Sequence, residues 1–146
     1  TFNMAGWRVG MLLGAAPLIN AVLKVKSNMD SGMFYPLQMG AVAALAAGPD
    51  WFQNQNAVYE KRRALVYELA SLLGCTYDTK AVGLFVWAAL PAGASDAESF
   101  IDKLLYEKDI FITPGTIFGA GGTGYVRFSL CVSEALIKEA IERIKA

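Results

Sequence analysis

The second half of this sequence predicts a small α+β domain in which helices flank one short sheet. Two segments favour strands: Gly83 to Leu90 is apolar throughout, and Tyr125 to Leu130 alternates between polar and apolar residues. From Ser133 onward, apolar residues recur at helical spacing, which favours an amphipathic helix. Strands interleaved with helices around one sheet are typical of a layered α+β arrangement.

The first half predicts one strand and two helices. The apolar run Trp7 to Leu13 favours a strand that carries the single charge of Arg8. Pro17 suits the first turn of a helix that ends near the polar turn at Ser27 to Gly32. An alanine-rich helix with almost no charge is expected from Tyr35 to Ala46, so it should be buried or packed on another subunit.

The longest helix is expected from about Asn54 to Leu73, with Gly74 at its C-cap. We place a domain boundary inside this helix, because the composition changes after it. Residues 1–60 then complete a larger domain, and residues 61–146 form a small C-terminal α+β domain. The basic run Lys61-Arg62-Arg63 is expected on the exposed face of the helix.

Beyond this boundary we expect a strand, a helix, two further strands and a final helix. Ser95 and Glu98 have nearly the spacing of a capping box, which predicts the start of the first of these helices. The segment Asp109 to Thr113 favours a short strand. A glycine-rich loop follows it and runs to Gly124, directly before the alternating strand.

The composition excludes several classes of function. Thirteen acidic and thirteen basic residues balance, which favours neither a nucleic acid nor an anionic membrane surface as partner. The longest charge-free stretch, residues 31–49, is interrupted by glycine and proline, so no membrane span is expected. The apolar fraction of 55% is high for a free domain, and it favours a piece of a larger assembly that exposes an apolar interface.

The sequence contains no histidine. This excludes the Ser-His and Cys-His nucleophile pairs and most zinc sites, and no metal site is expected. Cys75 and Cys131 lack metal-ligand spacing and are expected to be reduced thiols in the core. Reduced thiols are compatible with a cytoplasmic location.

Two arginines are candidate anion sites. A charge in a buried strand needs a partner, so Arg8 is interpreted as a phosphate or carboxylate clamp or as one side of a buried ion pair. Arg127 lies in the middle of the alternating strand, directly after the glycine-rich loop. Its guanidinium could hold a carboxylate through two parallel hydrogen bonds, or it could lie on a solvated sheet face or pair with a nearby acid.

The glycine-rich loop, Gly119 to Gly124, matches the pattern G-x-G-x-x-G. A dinucleotide site requires a helix after this pattern, because the helix N-terminus holds the pyrophosphate. Here a strand is predicted to follow. The loop is therefore interpreted as a flexible or closely packed loop beside a site.

Three motifs occur along the chain in the order known from one family. The first is Asn3-Met4-Ala5-Gly6-Trp7-Arg8-Val9-Gly10, and the second is Gly83-Leu84-Phe85-Val86-Trp87. The third combines Pro114-Gly115 and Phe118-Gly119 with Gly124-Tyr125-Val126-Arg127-Phe128-Ser129. Together they resemble the class I/II aminotransferases among the fold-type-I pyridoxal-phosphate (PLP) enzymes. In that family the first motif follows the Schiff-base lysine, the second is the first strand of the small domain, and the third is the closing motif of the substrate site.

The resemblance implies an α/β protein overall. This chain would form the end of the large domain and a small α+β domain, whose short sheet is mixed or antiparallel. It implies that Arg8 binds the PLP phosphate and Arg127 the substrate α-carboxylate. The Schiff-base lysine is expected immediately before Thr1, so this chain supplies no catalytic residue and should be inactive alone. The parent would be a cytoplasmic homodimer that moves an amino group between an α-amino acid and a 2-oxo acid.

Two other functions stay open at this point. Relatives with the same fold type, such as carbon–sulfur lyases, share much of the pattern, and Arg127 does not decide which substrate bond breaks. A non-catalytic dimerisation or binding module that retains the two arginines is the other alternative. Within the family, the stretch from Ser27 to Gly32 is similar to that of the diaminopimelate and alanine/aspartate-type aminotransferases. This similarity favours the amino acids on which those members act as substrates.

Overall fold

The protein, known from a computed structural model that describes residues 2–146, divides into two compact units. The first ends at Asn54 and the second spans Gln55–Ala146. The division falls within the longest helix, Pro49–Leu72.

The first unit is mainly helical. A 3-10 turn at Ala5–Trp7 precedes helix α1 (Ala16–Met29), helix α2 (Tyr35–Leu45) and the beginning of helix α3 (Pro49–Leu72). A proline stands in the first turn of both α1 and α2, where its missing N–H costs nothing. Both helices are confirmed close to their predicted bounds, whereas α3 begins earlier than the sequence predicted.

The predicted strand from Trp7 to Leu13 is wrong. After the 3-10 turn, residues 8–13 have no regular structure, and Met11 to Leu13 are exposed. A strand needs a neighbour to bind its N–H and C=O groups, and every strand that residues 2–146 form lies in the second unit. An apolar segment without such a partner remains irregular even when its residues favour a strand.

Much of the apolar surface of the first unit is exposed, as the composition predicted. Neither α1 nor α2 has a buried residue within the described chain. The exposed large side chains on these two helices are Leu18, Val22, Leu23, Val25, Met29, Tyr35, Met39, Val42 and Leu45. Contiguous apolar surface of this kind is typical of an interface. None of the helices within residues 2–146 is both long enough and apolar enough to cross a membrane.

The second unit is a four-stranded antiparallel sheet flanked by helices. The strands are β1 (Thr76–Tyr77), β2 (Phe85–Ala89), β3 (Thr113–Pro114) and β4 (Tyr125–Ser129), in the order β1-β2-β4-β3. Two more helices complete it, α4 (Ala97–Lys108) and α5 (Glu134–Lys145). The small α+β domain with a short sheet is therefore confirmed, although β1 was not predicted.

The core lies between one face of this sheet and the three helices. Alternate residues of β2 and β4 point into it, and helices α3, α4 and α5 cover them. The buried members include Val66, Leu69, Ala70, Val86, Ala88, Ile101, Leu104, Val126, Phe128, Ile137 and Ile141. Burying this much apolar surface accounts for the stability of the unit, because burial contributes roughly 25 cal/mol per Å².

The predicted strand at Asp109 to Thr113 is largely wrong. Only Thr113 and Pro114 pair with β4, opposite Arg127 and Val126. Asp109 has a left-handed backbone (φ 52°) and ends helix α4, so the chain turns there before it can extend. Residues 110–112 have no regular structure and do not join the ladder.

The two cysteines differ from each other, whereas the sequence predicted that both are in the core. Both are free thiols. Cys75 is buried, and its burial raises the pKa of the thiol to about 11. Cys131 is exposed in the turn after β4, so the prediction is wrong for this residue.

Helix α4 is capped by Asp96, one residue after the predicted cap Ser95. The Asp96 carboxylate accepts the backbone N–H of Ser99 at 2.7 Å and the hydroxyls of Ser95 and Ser99. Hydrogen bonds from Ser99 and then Ser95 lower the pKa of this carboxyl below its usual value of 3.8. A lowered pKa means that the cap stabilises the fold above the unfolded-state pKa and loses this effect as the pH falls.

We therefore expect Asp96→Ala to lower the free energy of unfolding at about pH 7, with a difference from wild type that shrinks towards about pH 3. Urea unfolding at both pH values measures this. Asp102→Ala removes an exposed carboxylate from the same helix and serves as the control. The capping role would be contradicted if the loss of unfolding free energy in Asp96→Ala did not depend on pH, or if the control lost as much.

Candidate functional site

Arg127 lies in the middle of β4, on the sheet face opposite the helical core. Val126 and Phe128, its neighbours in the strand, are buried, so Arg127 points to the other face. The register places it beside Trp87 of β2 and Thr113 of β3. This confirms the predicted alternation. Strands on both sides of β4 hold the backbone that carries the arginine.

Two phenylalanine rings, named here the aromatic clamp, contact the Arg127 guanidinium. Its Cζ lies 4.1 Å from the centre of the Phe85 ring and 4.2 Å from that of the Phe118 ring. Ring faces attract a cation, and such contacts hold the planar group in a defined orientation. Trp87 extends this surface, with its ring 5.8 Å from Phe118 and stacked on Tyr125 at 5.5 Å.

The charge of Arg127 is not neutralised by this chain. Within residues 2–146 its guanidinium makes no ion pair and donates no hydrogen bond, and its Nε is buried without a partner. A partly buried cation without an acid is costly. The geometry therefore suits an external anion, and the fork of N–H donors matches the two oxygens of a carboxylate.

The glycine-rich segment positions one ring of the clamp. It forms two 3-10 turns, Gly115–Phe118 and Ala120–Gly122, whose backbones touch where Gly115 meets Gly122. Gly119 joins them at φ 105°, a conformation that favours glycine. The Thr116 hydroxyl donates to the Glu98 carboxylate on α4 and anchors the first turn.

The G-x-G-x-x-G match in this segment is therefore structural. β4 follows it directly, as the sequence predicted, and no helix N-terminus is available for a pyrophosphate. Its glycines permit the close packing of two turns that place Phe118 against Arg127.

A cavity of about 260 Å³ borders Arg127 on the β3 side. Thr113, Arg127 and Ser129 line it together with residues 110–112 and apolar residues of α3 and α5. Val66, Leu69 and Ile137 of the core also line it, so this cavity lies towards the helices, whereas the Arg127 guanidinium is on the opposite face of the sheet.

Arg8, the other predicted anion site, lies in the first unit. It follows the 3-10 turn with a left-handed backbone (φ 54°), and its N–H binds the carbonyl of Ala5. The residue is exposed, whereas the sequence predicted a buried strand position, because the strand itself does not form. No side-chain hydrogen bond or ion pair of Arg8 occurs within the described chain, so its guanidinium remains available to an anion.

Two further arginines differ from their predicted role. Arg62 and Arg63 were expected on a solvated helix face, yet both are partly buried and donate to backbone carbonyls of other elements. The sequence also does not reveal Phe85 and Phe118 as partners of Arg127. The only signal for Phe85 is its position two residues before Trp87 in the predicted strand, on the same sheet face.

Comparison with known proteins agrees with this fold. The model of the family aminotransferase class I and II matches residues 1–144. LL-diaminopimelate aminotransferases of Nitratidesulfovibrio vulgaris and Maridesulfovibrio salexigens are 38% and 39% identical, each over 99% of this chain and 37% of its own length. The apo structure of BacF from Bacillus subtilis superposes with a TM-score of 0.87 at 32% identity, over 99% of this chain and 37% of that one.

The chain thus spans a little over a third of the length of the relatives that it matches. The structural neighbours confirm the predicted fold-type-I α/β architecture. With nearly every residue inside the family match, the chain belongs to the aminotransferase class I and II family.

Proposed function

We propose that this chain is the C-terminal portion of a PLP-dependent aminotransferase, which moves an amino group between an α-amino acid and a 2-oxo acid. The observation that carries the proposal is the Arg127 guanidinium, held by two rings and unpaired within the described chain. Family membership supports the reaction class. The whole reaction is proposed for a longer polypeptide that includes this segment.

In this proposal Arg127 binds the α-carboxylate shared by the amino acid and the 2-oxo acid. Both substrates present two equivalent oxygens, and a guanidinium matches them with two parallel N–H donors. The aromatic clamp restricts the orientation of the guanidinium before the substrate arrives, which reduces the entropy lost on binding. The neighbouring Trp87 and Tyr125 would exclude water from the ion pair and strengthen it.

Arg8 fits the role of a phosphate ligand for PLP. Its guanidinium has no acidic partner in the described chain, and a phosphate dianion would supply the missing countercharge. When bound, PLP supplies an electron sink for the bonds at the substrate α-carbon. The Schiff-base lysine is proposed to lie outside this segment, since in the family motif it precedes the stretch at residues 3–10 and no lysine of this sequence does so.

The proposed parent is a cytoplasmic homodimer. The exposed apolar faces of α1 and α2 support burial against further protein. Relatives named LL-diaminopimelate aminotransferase, together with the stretch from Ser27 to Gly32, favour diaminopimelate as the first amino donor to test.

Two alternative functions share some of these features. Another fold-type-I PLP enzyme, such as a carbon–sulfur lyase, would also need Arg127, since its substrate carries the same α-carboxylate. A non-catalytic dimerisation or binding module would retain the exposed apolar helices without turnover. Exchange of an amino group between an amino acid and a 2-oxo acid separates the aminotransferase from both.

The direct test compares two proteins. Residues 1–146 alone, incubated with PLP, diaminopimelate and 2-oxoglutarate, are expected to form no glutamate, because the lysine that would hold PLP is proposed to lie outside them. The complete polypeptide is expected to form glutamate and to retain PLP after dialysis. Turnover by residues 1–146 alone would contradict the proposal. So would release of a thiol, without glutamate formation, when the complete polypeptide is given an S-substituted cysteine in place of diaminopimelate.

A further inference from the structure

Two adjacent arginines of α3 bind backbone carbonyls in other parts of the second unit. The Arg62 Nη1 donates to the carbonyl oxygen of Leu130 at 3.1 Å. Arg63 donates to two carbonyls, that of Ala81 at 3.0 Å and that of Gly83. Charged donors make stronger hydrogen bonds than neutral ones, so each bond is a firm connection between elements.

These carbonyls lie at one end of the β2–β4 ladder. Phe85 of β2 is paired with Ser129 of β4, and the next bond outward runs from the N–H of Leu130 to the carbonyl of Leu84. Leu130 is fully buried. Arg62 therefore holds the β4 side of this end and Arg63, through Gly83, the β2 side.

Phe85, one ring of the aromatic clamp, lies at this same end of the ladder. Phe85 stands two residues after Gly83, and its ring lies 4.1 Å from the Arg127 Cζ. Arg127 stands three residues before Leu130 on β4. A shift of either strand at this end changes the position of the ring relative to the guanidinium, because Phe85 and Arg127 are on different strands.

In the described part of the chain, the two helix arginines are not paired with acidic side chains. Neither forms an ion pair with an acid within residues 2–146. Among residues 2–146 the Arg62 Nε is buried without a partner, and the Arg62 Cζ lies 5.6 Å from the Tyr59 ring. A buried donor without a partner is costly, so Arg62 is not an ordinary solvated surface charge.

We infer that Arg62 and Arg63 are positioning residues for the carboxylate receptor formed by Arg127 and Phe85. The inference rests on the proposed function of Arg127. Arg62 and Arg63 connect helix α3 to the end of the β2–β4 ladder at Phe85 and Ser129. Their hydrogen bonds fix the position of the Phe85 ring relative to the Arg127 guanidinium. Without these hydrogen bonds, Phe85 and Arg127 must become ordered each time a carboxylate binds. The entropy lost in this ordering lowers the affinity for the carboxylate.

The test uses the complete polypeptide with PLP and compares Arg62→Ala and Arg63→Ala with the control Lys61→Ala, an exposed neighbour on the same helix. Both arginine variants are expected to raise the KM for the amino acid roughly tenfold with kcat changed much less, since carboxylate binding is lost in ground and transition state alike. The control is expected to match wild type.

A second readout does not depend on turnover. Propionate, a non-reactive carboxylate, is titrated while the arginine Nε–H signals are followed by NMR, with the Arg127 signal assigned from Arg127→Lys. Propionate is expected to shift this signal in wild type and in Lys61→Ala, and to need a roughly tenfold higher concentration in the two alanine variants. Arg62→Lys restores one donor for Leu130 and is expected to return towards wild type.

The outcomes separate the two ideas. In Arg127→Ala, where the Arg127 signal is absent, the indole N–H signal of the neighbouring Trp87 reports propionate binding. If this signal moves at the same propionate concentrations as in wild type, the proposed function of Arg127 is wrong and the inference with it. If Arg127→Ala fails to bind but Arg62→Ala and Arg63→Ala match Lys61→Ala, only the positioning role is overturned. Where an alanine variant does not fold, Arg63→Met decides: it keeps an unbranched apolar side chain and loses both carbonyl bonds, so a wild-type KM would also overturn the inference.

Discussion

Replacement of Arg127 by alanine is expected to lower kcat/KM for an amino acid by roughly two to three orders of magnitude in the complete polypeptide. Removal of one partner from a hydrogen-bonded charge pair typically costs about 2–5 kcal/mol. The cost should lie in this range because the guanidinium is partly buried, is held by two rings and makes no competing ion pair in the described chain. Steady-state kinetics with varied amino acid measures the effect.

Two comparisons make this result specific. Arg127→Lys keeps the charge but loses the fork, so only part of the activity should return. Lys138→Ala removes an exposed charge from α5 and should leave kcat/KM unchanged. Turnover of a primary amine without a carboxylate should not depend on Arg127. An equal loss with this amine would mean that Arg127 acts on the fold and not on the carboxylate.

The largest stability effect is expected from Gly115→Ala. A Cβ at this position would overlap the carbonyl oxygen of Gly122 and lie 2.7 Å from that of Tyr125. Both obstacles are backbone atoms, so relief requires the two 3-10 turns to separate. Overpacking typically costs 1–3 kcal/mol, and we expect a loss of about 3 kcal/mol in the free energy of unfolding. Chemical denaturation measures it.

The glycine-rich segment provides its own control. Gly121 has open space around the position of a Cβ, and its φ is not in the left-handed region. Gly121→Ala should therefore change the free energy of unfolding by less than about 1 kcal/mol. Because the first turn carries Phe118, Gly115→Ala should also weaken carboxylate binding at Arg127. Equal stability of the two variants would show that the backbone contact between the turns does not limit the fold.

Local pattern was sufficient for several elements of this protein. The alternation from Tyr125 to Ser129 predicted both a strand and the face on which Arg127 lies, because side chains in a strand alternate whatever their neighbours are. Helix α5 begins after Ser133, as predicted, since a serine cap and an amphipathic stripe act within one helix. These features depend on residues close together in the chain.

The local sequence pattern did not predict the structure where a residue far away in the chain determines it. Trp7 to Leu13 has a strand-like composition but no strand beside it in the described chain, so it stays irregular. Arg62 and Arg63 looked like a solvated basic run, and only the packing of α3 against the β2–β4 ladder shows that they bind carbonyls. Helix periodicity identifies a face but not what that face meets.

The chemistry of the candidate site divides in the same way. The motifs around Arg8 and Arg127 indicated the family and predicted that these two arginines bind anions, because the residue types and their spacing are properties of the chain alone. That Arg127 has no acidic partner in the described chain, and that Phe85 and Phe118 hold its guanidinium, follows from the folded sheet and the packed glycine turns. Contacts between residues far apart in sequence depend on strand register and backbone approach, and these exist only once the core has formed.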